Sequence, residues 1–206
     1  NEALRRPLVR ERDGENASFA YTSFGPPGKV ASDVTEPALG IRTIRYANGV
    51  ALNLKRTDLD KDRVIVQLAL DGGSRLNTRA KPLTNEMMGS LPAGGLGKHS
   101  QDALQSILAG RTVGFSFDSG VDAFLSTAQT TPRDLELQLQ LLAALISDPG
   151  FRPEGELRYR LNINNFFAQL RATPQSALGN AIGGILSDDD PRFTLQAVEE
   201  YRKLTF

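Results

Sequence analysis

The order of strand-type and helix-type patterns constrains the fold of this 206-residue chain more than any single motif does. Short β-branched or alternating runs come first and return once between longer segments with apolar residues at helical spacing. Asn48-Gly49 separates the first two strand-type runs, and this dipeptide in that position is a strong hairpin signal. Because strands and helices are segregated along the chain, we predict an α+β fold, a mainly antiparallel sheet with helices packed on one face.

Periodicity and turn residues predict the individual elements. The predicted strands are Ile41–Tyr46, Val50–Lys55, Val64–Leu70, Thr112–Phe117 and Val121–Thr130. The predicted helices are Pro82–Leu91, Gln101–Ala109, Leu135–Ile146, Glu154–Leu170, Pro174–Gly184 and Leu195–Phe206. The last helix looks unfinished, so we expect the chain to be a piece of a longer polypeptide.

Residues 1–40 differ from the rest of the chain in composition. They are rich in charge, proline and glycine and show no sustained apolar period, which predicts a linker or an arm lying on a neighbour. Residues 41–206 carry the periodic elements and are predicted to form the folded domain. The domain organisation is therefore 1–40 as linker or arm and 41–206 as domain.

Composition excludes several classes of function. The chain has no cysteine and a single histidine, so a zinc site made of Cys and His ligands cannot be assembled and a cysteine nucleophile is absent. Its 24 acidic and 24 basic residues give no support for nucleic-acid binding. No apolar stretch approaches the roughly 20 residues needed to span a membrane.

The histidine lies in a glycine-rich segment, Gly94–Ser100, that invites two functional interpretations. A phosphate-binding loop is disfavoured, because Pro92 stands where the motif needs glycine and His99 stands where it needs Ser or Thr. A helix–helix connection is favoured instead. His99 itself precedes a predicted helix N-terminus, where the dipole discourages protonation, so we expect it to hydrogen-bond locally rather than to catalyse.

Two groups of carboxylates are the other candidates. The run Asp188-Asp189-Asp190 could bind a hard cation, but runs of this kind before proline are usually solvated turns. Asp118 and Asp122 flank a predicted hairpin turn, where stabilisation of the turn is the favoured role. Six glycines are predicted to occupy turns or corners where a side chain would be costly: Gly49, Gly72, Gly73, Gly94, Gly95 and Gly97.

Taken in order, several segments of the chain resemble one half of the pitrilysin/insulinase family of zinc metallopeptidases. The segments that carry the resemblance are Ala47–Lys55, Leu70–Arg75, Gly94–Ser100, Thr130–Glu136 and Leu141–Phe151. The resemblance covers roughly residues 41–206. It implies the fold of one half of a pitrilysin-like or mitochondrial-processing-peptidase-like enzyme, in which two homologous halves face each other around a closed chamber.

The chain departs from this family at the metal site. The family's catalytic half carries His-x-x-Glu-His on a helix that corresponds to Pro82–Leu91, and this segment has no histidine. Glu86 lies near the position of the general base. Phe166, or an adjacent asparagine, stands where a later helix supplies a glutamate ligand. The resemblance therefore implies that this chain has no catalytic, cofactor-binding or metal-binding residues of its own.

The resemblance and its departures lead to one favoured function and two alternatives. We expect the first part of the silent, C-terminal half of a periplasmic bacterial zinc peptidase, which closes the chamber and helps to bind peptide substrate. Zinc would be held by the catalytic half of the same polypeptide or by a partner subunit. The first alternative is a stand-alone, inactive interaction or scaffold subunit of the same fold. A metal-free hydrolase that uses His99 ranks last.

Overall fold

The strands of this α+β chain form two separate antiparallel sheets. The structure, a computed structural model, describes residues 18–170 and 172–206. The strands are β1 (Val30–Glu36), β2 (Ile41–Tyr46), β3 (Ala51–Lys55), β4 (Val64–Asp71), β5 (Asp118–Ser119) and β6 (Ala123–Thr130). The first sheet has the order β1-β2-β3 and the second the order β4-β6-β5. The predicted single sheet is therefore divided in two.

Five α-helices accompany the sheets in the described part of the chain. They are α1 (Gln101–Ile107), α2 (Leu135–Ser147), α3 (Pro153–Leu170), α4 (Pro174–Ser187) and α5 (Val198–Arg202). The α3 and α4 helices confirm two predictions to within a few residues. Each helix begins at a proline, which is favoured in the first turn of a helix. Thr173 caps α4 through a reciprocal capping box with Ser176.

The first sheet is a pair of hairpins that the sequence predicts in part. At the β2–β3 turn the Tyr46 N–H donates to the Val50 carbonyl at 2.8 Å, and Gly49 has φ 92°, as the predicted hairpin requires. β1 lies inside the segment predicted to be a linker or arm. It was missed because all seven of its residues are exposed and no apolar alternation marks it. Residues 1–17 of that segment lie outside the described residues.

The prediction of a helix over Pro82–Leu91 is wrong. The segment forms turns and then a 3-10 helix, Met88–Gly94, held by i→i+3 bonds such as the one from the Ser90 N–H to the Met87 carbonyl. Pro92 disfavours the helical conformation at Leu91, the residue before it. Asn85 is drawn away as well, because its side-chain amide donates to the Gly73 carbonyl at 2.7 Å.

The predictions for two further segments are also wrong. The strand predicted over Thr112–Phe117 forms no ladder, since α2 side chains take its backbone groups, and only Asp118–Ser119 pairs with β6. The helix predicted over Leu195–Phe206 shrinks to α5. Beyond α5 the chain folds back on α3, where the Phe206 N–H donates to Glu156 at 3.1 Å and the Phe206 ring lies against Gly155.

Two hydrophobic clusters form the core. The larger lies between the second sheet, α1 and α2. Its buried residues are Tyr21, Leu91, Leu96, Leu104, Phe117, Leu141, Ala144 and Leu145. The smaller joins the turn segment to α3 and α5, and its buried residues are Met87, Tyr159, Ile163 and Tyr201. The segment from Pro82 to Leu91 thus lies between the two clusters.

Candidate functional site

The turn segment and the corner after β4 enclose a polar cavity of about 270 Å³. Its walls are Ser74, Asn77, Asn85, Glu86, Gly89, Asp118 and Ser119. Gly73 builds the corner, because a Cβ there would lie 2.5 Å from the Gly120 carbonyl oxygen and its φ is 62°. This cavity is the part of the fold where the resemblance places the family's metal.

The chemistry around Glu86 does not fit a zinc site. Burial raises the pKa values of the Tyr159 and Tyr201 phenols, and the charge of Glu86 raises them further. These two phenols are therefore the electrostatic neighbours of Glu86. Loss of hydration raises the pKa of Glu86 itself. Zinc sites use imidazole, thiolate and carboxylate ligands. Within residues 18–170 and 172–206, no three side chains of His, Asp or Glu converge on a common point that could hold a metal ion.

Tyr159 carries the unexplained polar atom of this region. The residue is buried, and its hydroxyl has no hydrogen-bond partner among the described residues. It lies on α3 and packs in the smaller hydrophobic cluster, so α3 contributes packing at this point. Phe166, which the resemblance places at the position of a glutamate ligand, is exposed on the same helix.

The lone histidine is part of the core. His99 is 7% exposed, and its Nε2 accepts a 2.9 Å hydrogen bond from the Ala20 N–H. Its ring stacks on Phe19 at 5.7 Å and meets the edge of Tyr21 at 5.8 Å. Burial, followed by the charges of Lys98 and Arg152, lowers the pKa of His99. The predicted local hydrogen bond is wrong, because the donor Ala20 lies 79 residues away in sequence.

The glycine-rich segment around His99 binds an arginine rather than an anion. The Arg152 guanidinium donates to the carbonyl oxygens of Gly94 and Leu96 at 2.8 and 2.5 Å, and to that of Gly97 at 2.8 Å. Carbonyl oxygens that converge on a cation cannot cradle a phosphate, which needs converging N–H groups. The segment is therefore a structural connection, as predicted.

Tyr21 ties the same segment to the end of α2. Its hydroxyl donates to Asp148 Oδ2 at 2.6 Å and accepts from the Lys98 N–H at 2.7 Å. A Cβ at Gly97 would overlap the Asp148 carboxylate. This overlap is the reason why a side chain at position 97 would be costly, as predicted. The chain before β1 thus packs into the domain through Phe19 and Tyr21, although its composition predicts only an arm.

The segment Thr112–Phe117 forms an incomplete edge of the second sheet. Gln138 is fully buried on α2; its Oε1 accepts from the Gly114 N–H at 2.6 Å and its Nε2 donates to the Gly114 carbonyl at 2.9 Å. The Thr112 N–H donates to Asp134 Oδ2 at 2.9 Å. Two side chains of α2 therefore stand in for a neighbouring strand.

The remaining backbone groups of this segment are free of such partners. No hydrogen bond joins the N–H or carbonyl groups of Val113, Phe115 or Phe117 to another residue of the described ranges. In an extended chain, alternate backbone groups point to opposite sides. Those of Val113 and Phe115 therefore point away from α2, as on the edge of a sheet. The sequence predicts a strand over this segment, but no pattern indicates that Gln138 takes the place of a neighbouring strand.

Asp134 anchors the segment electrostatically. The carboxylate is buried and ion-paired with Arg133 at 3.0 Å and with Arg111 at 3.1 Å. The hydrogen bond from Arg133, followed by that from the Thr112 N–H, lowers the pKa of Asp134 well below its ordinary value. It is therefore a structural carboxylate that ties the start of α2 to Thr112 and Arg111.

The other carboxylate candidates are structural as well. Asp188 and Asp189 have positive φ values and end α4, whereas Asp190 is buried. Asp190 pairs with Arg192 at 2.8 Å and Arg79 at 3.0 Å, so the prediction of a solvated run is wrong at this residue. Asp118 lies in β5 at the mouth of the polar cavity.

Several solved structures share this fold, and two of them match this chain over almost its whole length. One is a variant of the ferredoxin protease FusC in complex with Arabidopsis ferredoxin, with TM-score 0.76, 17% identity and 97% of this chain covered. The other is the periplasmic protease PqqL from Escherichia coli, with TM-score 0.78, 14% identity and 99% covered. The chain has a pitrilysin-like protease fold. The predicted α+β class is confirmed.

The match covers only part of each neighbour. It spans 22% of either chain, so the present chain corresponds to about a fifth of their length. No family model matches the sequence, and no curated protein sequence matches it. At these identities the likeness establishes the fold. Within residues 18–170 and 172–206, no helix is both long and apolar enough to cross a membrane.

Proposed function

We propose that this chain is the first part of a catalytically silent half of an insulinase-family zinc peptidase, which closes the peptide chamber and offers surface for substrate. One observation carries the proposal. In a fold shared with proteases, the segment that should hold the zinc ligands carries none, and the chain's single imidazole is buried against Phe19 with its Nε2 taken by Ala20.

The donor chemistry supports a silent role. Among the described residues no ligand cluster lies around Glu86 that would hold a metal and present its bound water to this carboxylate as a general base. Hydrolysis by His99 would require its Nε2 to leave the Ala20 N–H and its ring to leave the core. Catalysis is therefore assigned to another part of the polypeptide or to a partner subunit, which would hold the zinc.

The edge Thr112–Phe117 supports the role in binding substrate. An extended peptide can join a sheet edge by hydrogen-bonding to its free backbone groups, while pockets along the edge select side chains. Val113 and Phe115 offer such groups, and the edge leads to the polar cavity lined by Asp118 and Ser119. We assign the peptide contact to this edge.

The same comparison supports a proposal for the compartment. One neighbour is a periplasmic protease, and the chain has no cysteine that would require a particular redox state. We propose a periplasmic location in a bacterial cell for the whole protein. Its partners are the catalytic half and peptide substrates.

Peptide binding at the edge can be tested with one pair of variants. Val113→Pro removes a backbone N–H, whereas Val113→Ala keeps it and shortens the same side chain. We expect Val113→Pro to weaken binding of fluorescein-labelled random decapeptides about ten-fold in fluorescence anisotropy, the effect of losing one hydrogen bond of roughly 1.4 kcal/mol. Val113→Ala should bind like the unmodified chain. Equal affinity of both variants, with circular dichroism unchanged, would remove the edge from the proposal.

A further inference from the structure

Helix α4 turns an apolar face toward solvent. Leu178, Ile182, Ile185 and Leu186 recur at the spacing of a buried helix face. Yet Ile185 is 72% exposed and Leu186 is 81% exposed. The inner side of the helix meets the rest of the chain through small residues, since Gly183 lies against the Phe193 carbonyl. The helix therefore has the pattern of a core element but lacks a cover on this side.

Because α4 carries no charged residue, the surface that covers it is expected to be uncharged as well. None of the 14 residues from Pro174 to Ser187 is Asp, Glu, Lys or Arg. Helices that face water normally carry charged residues on the exposed side, and depletion of charge marks the buried centre of a permanent interface. Exposed apolar surface of this extent marks an interaction site.

The helix surface also permits close approach. Gly179 lies one turn before Ile182 on the helix surface, and a Cβ placed there meets nothing within 4 Å. A partner backbone can therefore come nearer to α4 at this point than a larger side chain would allow. An uncharged face of another helix or sheet satisfies these conditions.

The length of the neighbours indicates where that face comes from. The match leaves 78% of each neighbour's chain outside it, since it covers 22%. In both proteins this fold is therefore built into a polypeptide with ample further chain to pack on it. A soluble peptide or a charged partner would leave the α4 side chains without apolar contacts.

We propose that the α4 face, made of Leu178, Ile182, Ile185 and Leu186, is an internal contact covered by an uncharged apolar face of the remaining polypeptide. This rests on the proposed function only in taking the chain as a piece of a longer protein. It requires neither zinc nor hydrolysis.

Cysteine accessibility tests this contact, because the chain has no cysteine of its own. Ile185→Cys places one thiol on the α4 face. Leu59→Cys is the matched control, since Leu59 is 92% exposed in the charged loop between β3 and β4. Maleimide labelling rates would be measured for each variant in the 206-residue chain and in the full-length gene product, with the labelled peptide identified by mass spectrometry.

We expect both thiols to react rapidly in the 206-residue chain. In the full-length product, Ile185→Cys should react at least ten-fold more slowly while Leu59→Cys is unchanged. Hydrogen exchange of residues 174–187 in the unmodified proteins should slow in parallel, which covers the case in which a variant fails to fold.

Three results would overturn the proposal. The first is fast labelling of Ile185→Cys in both proteins. The second is protection in the 206-residue chain together with a dimer in sedimentation, which would assign the face to a second copy. The third is a gene product no longer than this chain. A full-length product without zinc or protease activity would count against the proposed function. It would not change what the labelling rates show about the α4 face.

Discussion

His99 is held as a neutral acceptor by its neighbours. The Ala20 N–H points at Nε2, so that nitrogen must be unprotonated, and the nearby charges of Lys98 and Arg152 also oppose a second proton. Neither Ala20 nor Arg152 is near His99 in sequence. The position of His99 before a helix N-terminus was enough to predict reluctance to protonate, but its partners were set by tertiary packing.

This arrangement predicts a pH-dependent contribution to stability. Because the folded-state pKa of His99 lies below 6.5, the unfolded chain takes up the proton first as the pH falls. The contribution is therefore complete above about pH 6.5 and is lost as the pH falls toward the folded-state pKa. We expect His99→Gln to be about 1–3 kcal/mol less stable than the unmodified chain at pH 7.5.

Urea denaturation between pH 5 and 7.5 measures this effect. The difference in unfolding free energy between the two proteins should narrow as the pH falls, because only the unmodified chain loses the histidine contribution. A difference that stays constant or widens on acidification would contradict a buried neutral His99.

At the scale of elements, the predictions hold where local signals decide the structure and fail where hydrogen bonds to distant residues decide it. The α3 and α4 helices are set by local signals, an apolar period and a proline in the first turn, and their predictions hold. The segments Pro82–Leu91 and Thr112–Phe117 also have local preferences. Side-chain amide hydrogen bonds that join each segment to a more distant part of the chain override these preferences. Asn85 binds the Gly73 carbonyl and Gln138 binds Gly114, so neither segment forms its predicted element.

Replacing Gln138 tests most directly whether α2 takes the place of a neighbouring strand beside Thr112–Phe117. Gln138→Leu preserves volume but leaves the Gly114 N–H and carbonyl buried without partners, and each such group costs about 1–3 kcal/mol. We expect a loss of about 2–4 kcal/mol in unfolding free energy by chemical denaturation. Gln140→Leu, two residues along α2, is the control, because Gln140 bonds only to the exposed Glu136. Its effect should stay within about 0.5 kcal/mol.

The pair of variants separates two accounts of the edge. If Gln138→Leu were no worse than Gln140→Leu, then α2 would not be standing in for a strand, and Thr112–Phe117 would not be a preorganised edge for peptide.

At the scale of the whole molecule, a fold shared with proteases carries no cluster of three His, Asp or Glu side chains that could hold a metal ion in the part of the chain that the structure describes. A polar cavity lies beside Glu86, bounded by the Gly72–Gly73 corner and Asp118. Around it, Tyr159 and Tyr201 add apolar packing to α3 and α5. The order of elements was sufficient to predict the α+β class. The division into two sheets was not predictable, because β1 and β3 are exposed along their whole length and local patterning cannot assign their neighbours.

The two surfaces singled out on the chain serve different tasks in this account. The edge Thr112–Phe117 presents backbone groups and suits a transient extended peptide. The α4 face presents only apolar and small side chains and suits a permanent contact.

The zinc content of the purified 206-residue chain tests the central claim most directly. After incubation with zinc and dialysis against metal-free buffer at neutral pH, elemental analysis by mass spectrometry should find far less than one zinc per chain. The reason is that the segment Pro82–Leu91 offers no histidine and His99 is committed to the core. Retention of one equivalent of zinc, lost on Glu86→Gln, would contradict the assignment of this chain as the silent half.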